Sequence, residues 1–208
     1  NALPPYLKLA YLPNPGAVRL RLSAYEVEGE SVAREIERQF EALRRIIPHN
    51  VLGYETATMQ ELVHRILTER RQTLATAESC TGGVIASRFT AMPGASAYFL
   101  CGVVSYSNEA KIRVLGVDAD TIARYGAVSE QVARQMAEGV RRVAGADYAI
   151  ATTGIAGPTG GSAEKPVGTV WIAVATPAGT VAQCRQCGTD RGQIIDRASA
   201  FAIGLLRD

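Results

Sequence analysis

From residue 73 onward the chain alternates between two periodicities, and that alternation limits the folds open to it. Apolar runs of strand length at 73–78, 97–106, 146–153, 168–176 and 179–187 are interleaved with stretches at 80–91, 108–115, 129–144 and 190–206 whose apolar residues recur every three or four positions. Strand, helix and strand in succession make a crossover unit with its two strands parallel. The last two runs, by contrast, are joined only by the turn Pro177-Ala178-Gly179, which is too short for a crossover and predicts an antiparallel hairpin. The expected fold is therefore of the α/β class, a three-layer α/β/α sandwich around a mixed, mostly parallel sheet.

The first 56 residues read differently. Tyr6-Leu-Lys-Leu-Ala-Tyr-Leu12 and the alternating Val18-Arg-Leu-Arg-Leu-Ser-Ala24 flank Pro13-Asn-Pro-Gly16, a strong turn signal, and predict a hairpin. Val32, Ile36, Phe40 and Leu43 then mark one face of a helix that Pro48 stops, and Val51-Leu-Gly-Tyr54 offers a third strand. This predicts a small α+β domain over 1–56 and a larger α/β domain over 57–208. The larger one opens with a helix that Thr58 caps, carrying Leu62, Val63, Ile66 and Leu67 and ending at Arg70-Arg71, where basic residues favour the negative helix end.

Bulk composition removes several functions. With 47% hydrophobic and 20% charged residues in a 208-residue chain, disorder is excluded, and a net charge of +2 argues against a nucleic-acid partner. No apolar run approaches the roughly 20 residues that span a bilayer, and no leader pattern is present, so no membrane partner is expected. The four cysteines, Cys80, Cys101, Cys184 and Cys187, are too scattered for a disulfide framework and fit a reducing cytoplasm. The chain opens on Asn1 and enters a strand-like run almost at once, which reads as a piece cut from something longer.

Chemistry concentrates at three predicted strand ends. Leu74-Ala-Thr-Ala-Glu78 delivers Ser79 to a helix start at Thr81-Gly82-Gly83, where unpaired N–H groups with partial positive charge can stabilise an anion. A serine there is ordinarily an N-cap, and its usual activators are missing: His49 and His64 lie in the N-terminal part, and no G-x-S-x-G elbow surrounds it. A lysine whose ammonium is disfavoured by burial can replace the histidine. Lys111, at the opening of the helix after Gly102-Val-Val-Ser-Tyr106, emerges at the same sheet edge as Ser79, and Tyr106 can relay a proton or hold the lysine. The plain alternative is a solvated lysine and a strand-end tyrosine.

The third strand end carries Thr152-Thr-Gly-Ile-Ala-Gly-Pro-Thr-Gly-Gly-Ser162, a loop whose glycines allow close backbone approach to a ligand or simply form a long turn. It is neither a Walker A motif nor G-x-G-x-x-G. Thr189-Asp-Arg191 puts a guanidinium at the start of the last helix, suited to a phosphate or carboxylate or else merely solvated. Cys184-Arg-Gln-Cys187 lacks a second pair or a histidine, so no metal site and no cofactor is expected. Cys80, beside Ser79, is the alternative nucleophile, ranked second because no histidine accompanies it.

Glu78-Ser-Cys-Thr-Gly-Gly83, Val104-Ser-Tyr-Ser-Asn108 with Lys111 and Leu115-Gly-Val117, Gly126-Ala-Val-Ser129, Thr153-Gly-Ile-Ala-Gly-Pro158 and Glu164-Lys-Pro-Val-Gly-Thr169 together resemble the C-terminal domain of the competence-damage-inducible CinA family. Residues 1–56 resemble the small KH-like middle domain of that family, and its N-terminal molybdopterin-binding-like domain, linked to ADP-ribose pyrophosphatase activity, is expected outside these residues. The resemblance implies an amidase of pyridine nucleotide salvage that hydrolyses nicotinamide mononucleotide to nicotinate mononucleotide and ammonia without a metal. It further implies Ser79 as nucleophile, Lys111 as base, Tyr106 as its aid, the N–H groups of Cys80, Thr81, Gly82 and Gly83 toward the oxyanion, and Thr153, Gly154, Gly157 and Arg191 as the nucleotide's holders. A homodimer also follows from the resemblance alone. Two departures stand out: Thr153 where many relatives carry Ser, and Ile195 where they often carry a second Arg. The competing reading is a non-catalytic binding module in competence or DNA damage, and the missing KH G-x-x-G loop argues against RNA as its ligand.

Overall fold

The computed structural model describes residues 3–14, 17–27, 29–47, 51 and 58–207. The chain divides into two compact units, Asn1–Ala57 and Thr58–Asp208. In the first, strands β1 (Leu7–Asn14) and β2 (Ala17–Ala24) form the expected antiparallel hairpin, with Leu7 opposite Ala24, followed by helix α1 (Glu30–Ile46). Leu7 is buried, and the α1 residues Val32, Ile36, Phe40 and Leu43 are half-buried along one side, the spacing that the sequence sets. The expected stop at Pro48, His49 and the strand residues Leu52–Tyr54 lie outside the described residues.

The second unit begins with α2 (Met59–Arg70), whose Thr58 accepts from the Glu61 N–H while the Glu61 carboxylate accepts from the Thr58 N–H at 2.5 Å, a reciprocal cap. There follow β3 (Leu74–Glu78), α3 (Val84–Thr90), a 3₁₀ turn at Ala95–Ala97, β4 (Phe99–Val104), α4 (Asn108–Leu115), α5 (Ala119–Tyr125), α6 (Glu130–Ala144), β5 (Tyr148–Gly154), β6 (Thr169–Thr176), β7 (Gly179–Gln186) and α7 (Arg191–Arg207). The sheet order is β4-β3-β5-β6-β7. β3 pairs in parallel with β4 and β5, whereas β5–β6 and β6–β7 are antiparallel, so β6 alone runs against the other four strands. Mixed and mostly parallel, the sheet is the one expected.

Alternation along the central strands sorts the core into two layers. Leu74, Ile150, Val170, Ile172 and Val174 pack with Val63 and Leu67 of α2, Ile85 and Phe89 of α3 and Ile194, Ala198, Ala202 and Ile203 of α7. The opposite face presents Ala75, Ala77, Ala149, Ala151, Ala173 and Ala175, small enough for α6 to lie directly on the strands through Val132, Ala133, Met136, Ala137 and Val140. On that side α6 also crosses the end of α4, and a Cβ at Gly139 would stand 2.0 Å from the Leu115 carbonyl oxygen, so only glycine admits the crossing. Lys111 is on this α4–α6 layer, which fixes the direction from which it reaches the sheet edge.

Three local differences from expectation have physical causes. Helix α5 was not foreseen, since its seven residues carry too few apolar positions for a periodic signal; Asp118 caps it by accepting from the Asp120 N–H. The start of the 97–106 run is spent in the Ala95–Ala97 turn, so β4 begins at Phe99. Helix α3 starts at Val84 rather than residue 80, because Gly82 and Gly83 take positive φ, 62° and 99°, and make a turn of residues 80–83. Among the described residues no helix is long and apolar enough to cross a membrane.

Candidate active site

The parallel strands β3, β4 and β5 end at one sheet edge, and they bring Ser79, Ser105-Tyr106 and Thr153-Gly154 there together. Lys111 reaches this edge from the first turn of α4, which Ser107 caps by accepting from the Ala110 N–H. Its Nζ donates to Ser79 Oγ at 3.1 Å and to the Ser105 carbonyl at 2.9 Å. Lys111 is only 2% exposed, and burial pulls its pKa below the ordinary lysine range because the ammonium form is disfavoured away from water. The start of α4, with its partial positive charge, works in the same direction. Ser79 is held by its N–H, which donates to the Thr152 carbonyl at 3.0 Å, so nucleophile and lysine meet on main-chain supports.

Glu78 explains the shape of the serine turn, and no sequence signal had singled out its role. Its carboxylate, 1% exposed, accepts from Thr81 Oγ at 2.7 Å and from the N–H groups of Gly83, Ile85 and Ala86 at 3.0, 3.1 and 2.8 Å. Since a carboxylate only accepts, Thr81 must donate to it, and the 2.7 Å contact between the Thr81 and Thr152 hydroxyls therefore runs from Thr152 to Thr81. The helix N-terminus read as an anion site is thus filled by the chain's own anion. Thr81, Gly82 and Gly83 are corrected accordingly. The Gly82 N–H donates to the Ser79 carbonyl and that of Gly83 to Glu78, Thr81 spends its hydroxyl on Glu78, and none of the three lines the cavity. Of this turn, Ser79 and Cys80 face it.

Replacing the Glu78 carboxylate by an amide, Glu78→Gln, sets an NH₂ group against N–H donors in a buried turn. The expected cost is ~2–3 kcal/mol, or roughly 4–12 °C in Tm by thermal melting.

Ser79, Cys80, Tyr106, Lys111, Thr153, Gly154, Gly157 and Arg191 all line one cavity of about 330 Å³, a small-molecule volume. The sequence reading missed further wall residues: Asn108, Ala127, Val128, Thr159 and Gly160. Ala127 and Val128 come from the loop before α6, which Thr153 secures by donating from its hydroxyl to the Ala127 carbonyl at 2.8 Å. In the glycine loop, Gly157 has φ 71° and a Cβ there would meet Val167 Cγ1 at 2.6 Å. Arg191 donates from one terminal nitrogen to the Gly157 carbonyl at 2.7 Å and from the other to the Tyr106 hydroxyl at 3.0 Å. Tyr106 is 61% exposed and its hydroxyl accepts from Arg191; of the two roles expected for it, relaying a proton or holding the lysine, the holding is done by the Ser105 carbonyl.

The other candidates separate by burial. Burial pushes the Cys80 thiol up to about 12, so it carries no thiolate at neutral pH despite facing the cavity. Cys187 is buried and raised to about 11, and Cys184 is exposed on β7; all four cysteines are free. His64 stacks edge-on against Tyr98 at 5.2 Å between ring centres and does not line the cavity. Ile195 packs against the α7 side of the core.

Residues 56–208 match the family described as the CinA C-terminal domain. A CinA-like protein of Flavobacterium psychrophilum is 45% identical over 205 residues, 98% of this chain and 49% of that protein. A second, of Chlorobium chlorochromatii, is 44% identical over 208 residues, 100% of this chain and 49% of its own length. The chain spans about half the length of the curated relatives it matches. Among solved structures, the competence damage-inducible protein A (ComA) of Klebsiella pneumoniae is 40% identical with a TM-score of 0.69, covering 71% of this chain and 92% of that one. The competence/damage inducible protein CihA of Agrobacterium tumefaciens is 41% identical with a TM-score of 0.69, covering 74% and 97%. On the match over residues 56–208 and the likeness of these relatives, the chain belongs to the CinA family.

Proposed function

We propose that this domain hydrolyses the carboxamide of nicotinamide mononucleotide to nicotinate mononucleotide and ammonia, through an acyl-enzyme on Ser79. The observation that carries this reading is the buried Lys111 Nζ lying 3.1 Å from Ser79 Oγ at the wall of a cavity. In its neutral form the amine accepts the Ser79 O–H across that distance. As Oγ bonds to the carboxamide carbon, the proton passes to Nζ and the carbonyl electron pair moves onto oxygen. The Cys80 N–H, for which no other described residue supplies an acceptor, is the donor assigned to that oxyanion. Collapse breaks the C–N bond, and Nζ returns the proton to the departing ammonia. Water then attacks the ester with Lys111 again as base, and its proton ends on Ser79 Oγ as the carboxylic acid leaves.

Arg191, exposed at the cavity mouth, supplies charge for the nucleotide phosphate, and the loop from Thr153 to Gly160 forms the wall against which the nucleotide lies. No metal or cofactor enters the scheme. Residues 1–56 are carried as a KH-like unit outside the chemistry, and the reaction belongs to a cytoplasmic salvage of pyridine nucleotides, by a chain that acts as a homodimer.

The test is ammonia release from nicotinamide mononucleotide. Turnover by the chain supports the reading, and silence over a wide range of enzyme and substrate concentrations would leave a binding module instead. Cys80→Ala keeps the assigned N–H and removes only a protonated thiol, so its kcat is expected within about tenfold of the parent. A dead Cys80→Ala beside an active Ser79→Ala would make this a thiol enzyme.

A further inference from the structure

One buried polar group on the lysine's side of the sheet has no part in the scheme above. Ser105 is fully buried, and its hydroxyl has no hydrogen-bond partner. A buried, unpaired hydroxyl destabilises a fold, so one kept beside reacting groups calls for a reason. β3 and β4 are in register at Glu78 and Val104, and the Ser105 N–H donates to the Glu78 carbonyl at 2.8 Å, so Ser79 and Ser105 form the next rung. Gly102 and Val104 face α3: Ala86 Cβ is 3.0 Å from where a Gly102 Cβ would stand, and Val104 Cγ2 is 3.4 Å from that of Gly83. Cys101 and Val103 face α6 on the other side. Ser105 continues their row, toward the layer from which Lys111 comes, and its own carbonyl already holds Nζ at 2.9 Å.

Counting hydrogens on Nζ shows what the hydroxyl is for. The neutral amine has two N–H groups and a lone pair: in the resting state the Ser105 carbonyl takes one N–H and the lone pair accepts the Ser79 O–H, which leaves one N–H without a partner. Once it has taken the proton it has three N–H groups, of which the Ser105 carbonyl takes one and the departing nitrogen another. A staggered rotation about χ1 brings a lone pair of Ser105 Oγ to the third. We infer that Ser105 is a positioning residue of the serine–lysine reading above, its hydroxyl accepting from the Lys111 ammonium during the reaction. No proton passes through it.

Among the described residues, Nζ has no hydrogen bond beyond those to Ser79 and Ser105. Cys80, from the turn after β3, is a protonated thiol, and Arg191 and Tyr106 across the cavity bond to each other. On α4 itself Glu109 and Arg113 form an exposed pair. On α6, Val132, Met136 and Val140 of the inner face are apolar, and Arg142 donates to the Leu115 carbonyl at the far end of α4. Glu78 points to the opposite face with its oxygens taken.

The experiment compares the parent with Ser105→Ala and Ser105→Thr in the full chain, by ammonia release across pH and by NMR titration of Lys111 with ¹³C-labelled lysine. Removing an acceptor from the ammonium must lower its pKa. Ser105→Ala is therefore expected to move the acid limb of kcat/KM and the NMR titration together to lower pH by about one unit, and to reduce kcat about 10- to 100-fold. KM stays within about twofold, and Ser105→Thr, which keeps the hydroxyl, restores all three. An unmoved Lys111 titration in Ser105→Ala overturns the inference, as does a loss that threonine does not rescue. A parent chain silent on the nucleotide, with the titration still shifted, would overturn the amidase reading and leave the Ser105–Lys111 coupling standing.

Discussion

Ser79→Ala is expected to lower kcat for ammonia release from nicotinamide mononucleotide by about 10⁴-fold or more, with KM within a few-fold of the parent. The size follows from what the hydroxyl does. It is the atom that bonds to the substrate carbon, and the neighbouring Cys80 does not replace it, since burial keeps that thiol protonated, with its pKa pushed up to about 12. The change leaves the fold intact: the main-chain bond from residue 79 to the Thr152 carbonyl and the four donors on Glu78 do not involve the hydroxyl. Circular dichroism should therefore match the parent, and melting should shift by no more than the ~1–3 kcal/mol that losing the Ser79 partner of buried Lys111 costs. Because Ser79 and Lys111 act as a unit, adding Lys111→Ala to Ser79→Ala should cost almost nothing further. Two full, additive losses would mean that the two residues serve separate steps.

Lys111→Met is the second large effect, and it moves activity and stability in opposite directions. Without the base, kcat falls by about 10²–10⁴-fold. Stability should rise, because methionine fills a similar volume with no charge to desolvate. The pH dependence fixes the sign. The folded-state pKa of Lys111 is lowered by burial, so between that value and the ordinary lysine value the unfolded chain holds a proton that the native chain has shed. Parent stability therefore increases as pH rises through this window, and below it the native state bears the full burden of a buried ammonium. The gain from Lys111→Met should be greatest below the folded-state pKa, about 1.4 kcal/mol for each pH unit by which that pKa lies below the ordinary one, and should shrink as pH rises toward the ordinary lysine pKa of about 10.4. Parent kcat/KM should fall about tenfold per pH unit on the acid side of the same pKa. Urea melts at several pH values check the first, and pH–rate profiles the second.

Much of this was legible in the residues. Strand and helix periodicities placed every strand of the large sheet within about two residues, because the central strands β3, β5 and β6 are buried on both faces and the helices carry clear stripes; β3, buried at all five positions, is the clearest case. The same alternation put Ser79, Lys111 and the loop after Thr153 at one edge. Hydrogen-bond allocation was hidden, being a property of three-dimensional neighbours. Glu78 reads as one more strand residue until its carboxylate is seen under the α3 N-terminus, and that contact takes up the Thr81 hydroxyl and the Gly83 N–H, while the Gly82 N–H goes to the Ser79 carbonyl. Tyr106 has the right spacing to touch Lys111, yet its hydroxyl meets Arg191, 85 positions away in sequence. Helix α5 escaped notice for a simpler reason: seven residues with Ile122 as the core contact give no period to detect.

The most direct test of the central claim is acid-quench mass spectrometry during turnover of nicotinamide mononucleotide, with the adduct located by peptide digestion. The expected result is a nicotinate mononucleotide ester on the peptide containing Ser79, formed and consumed at rates compatible with ammonia release and absent from Ser79→Ala. Steady ammonia release with no acylated peptide at any quench time, or an adduct on Cys80, would contradict a serine–lysine amidase.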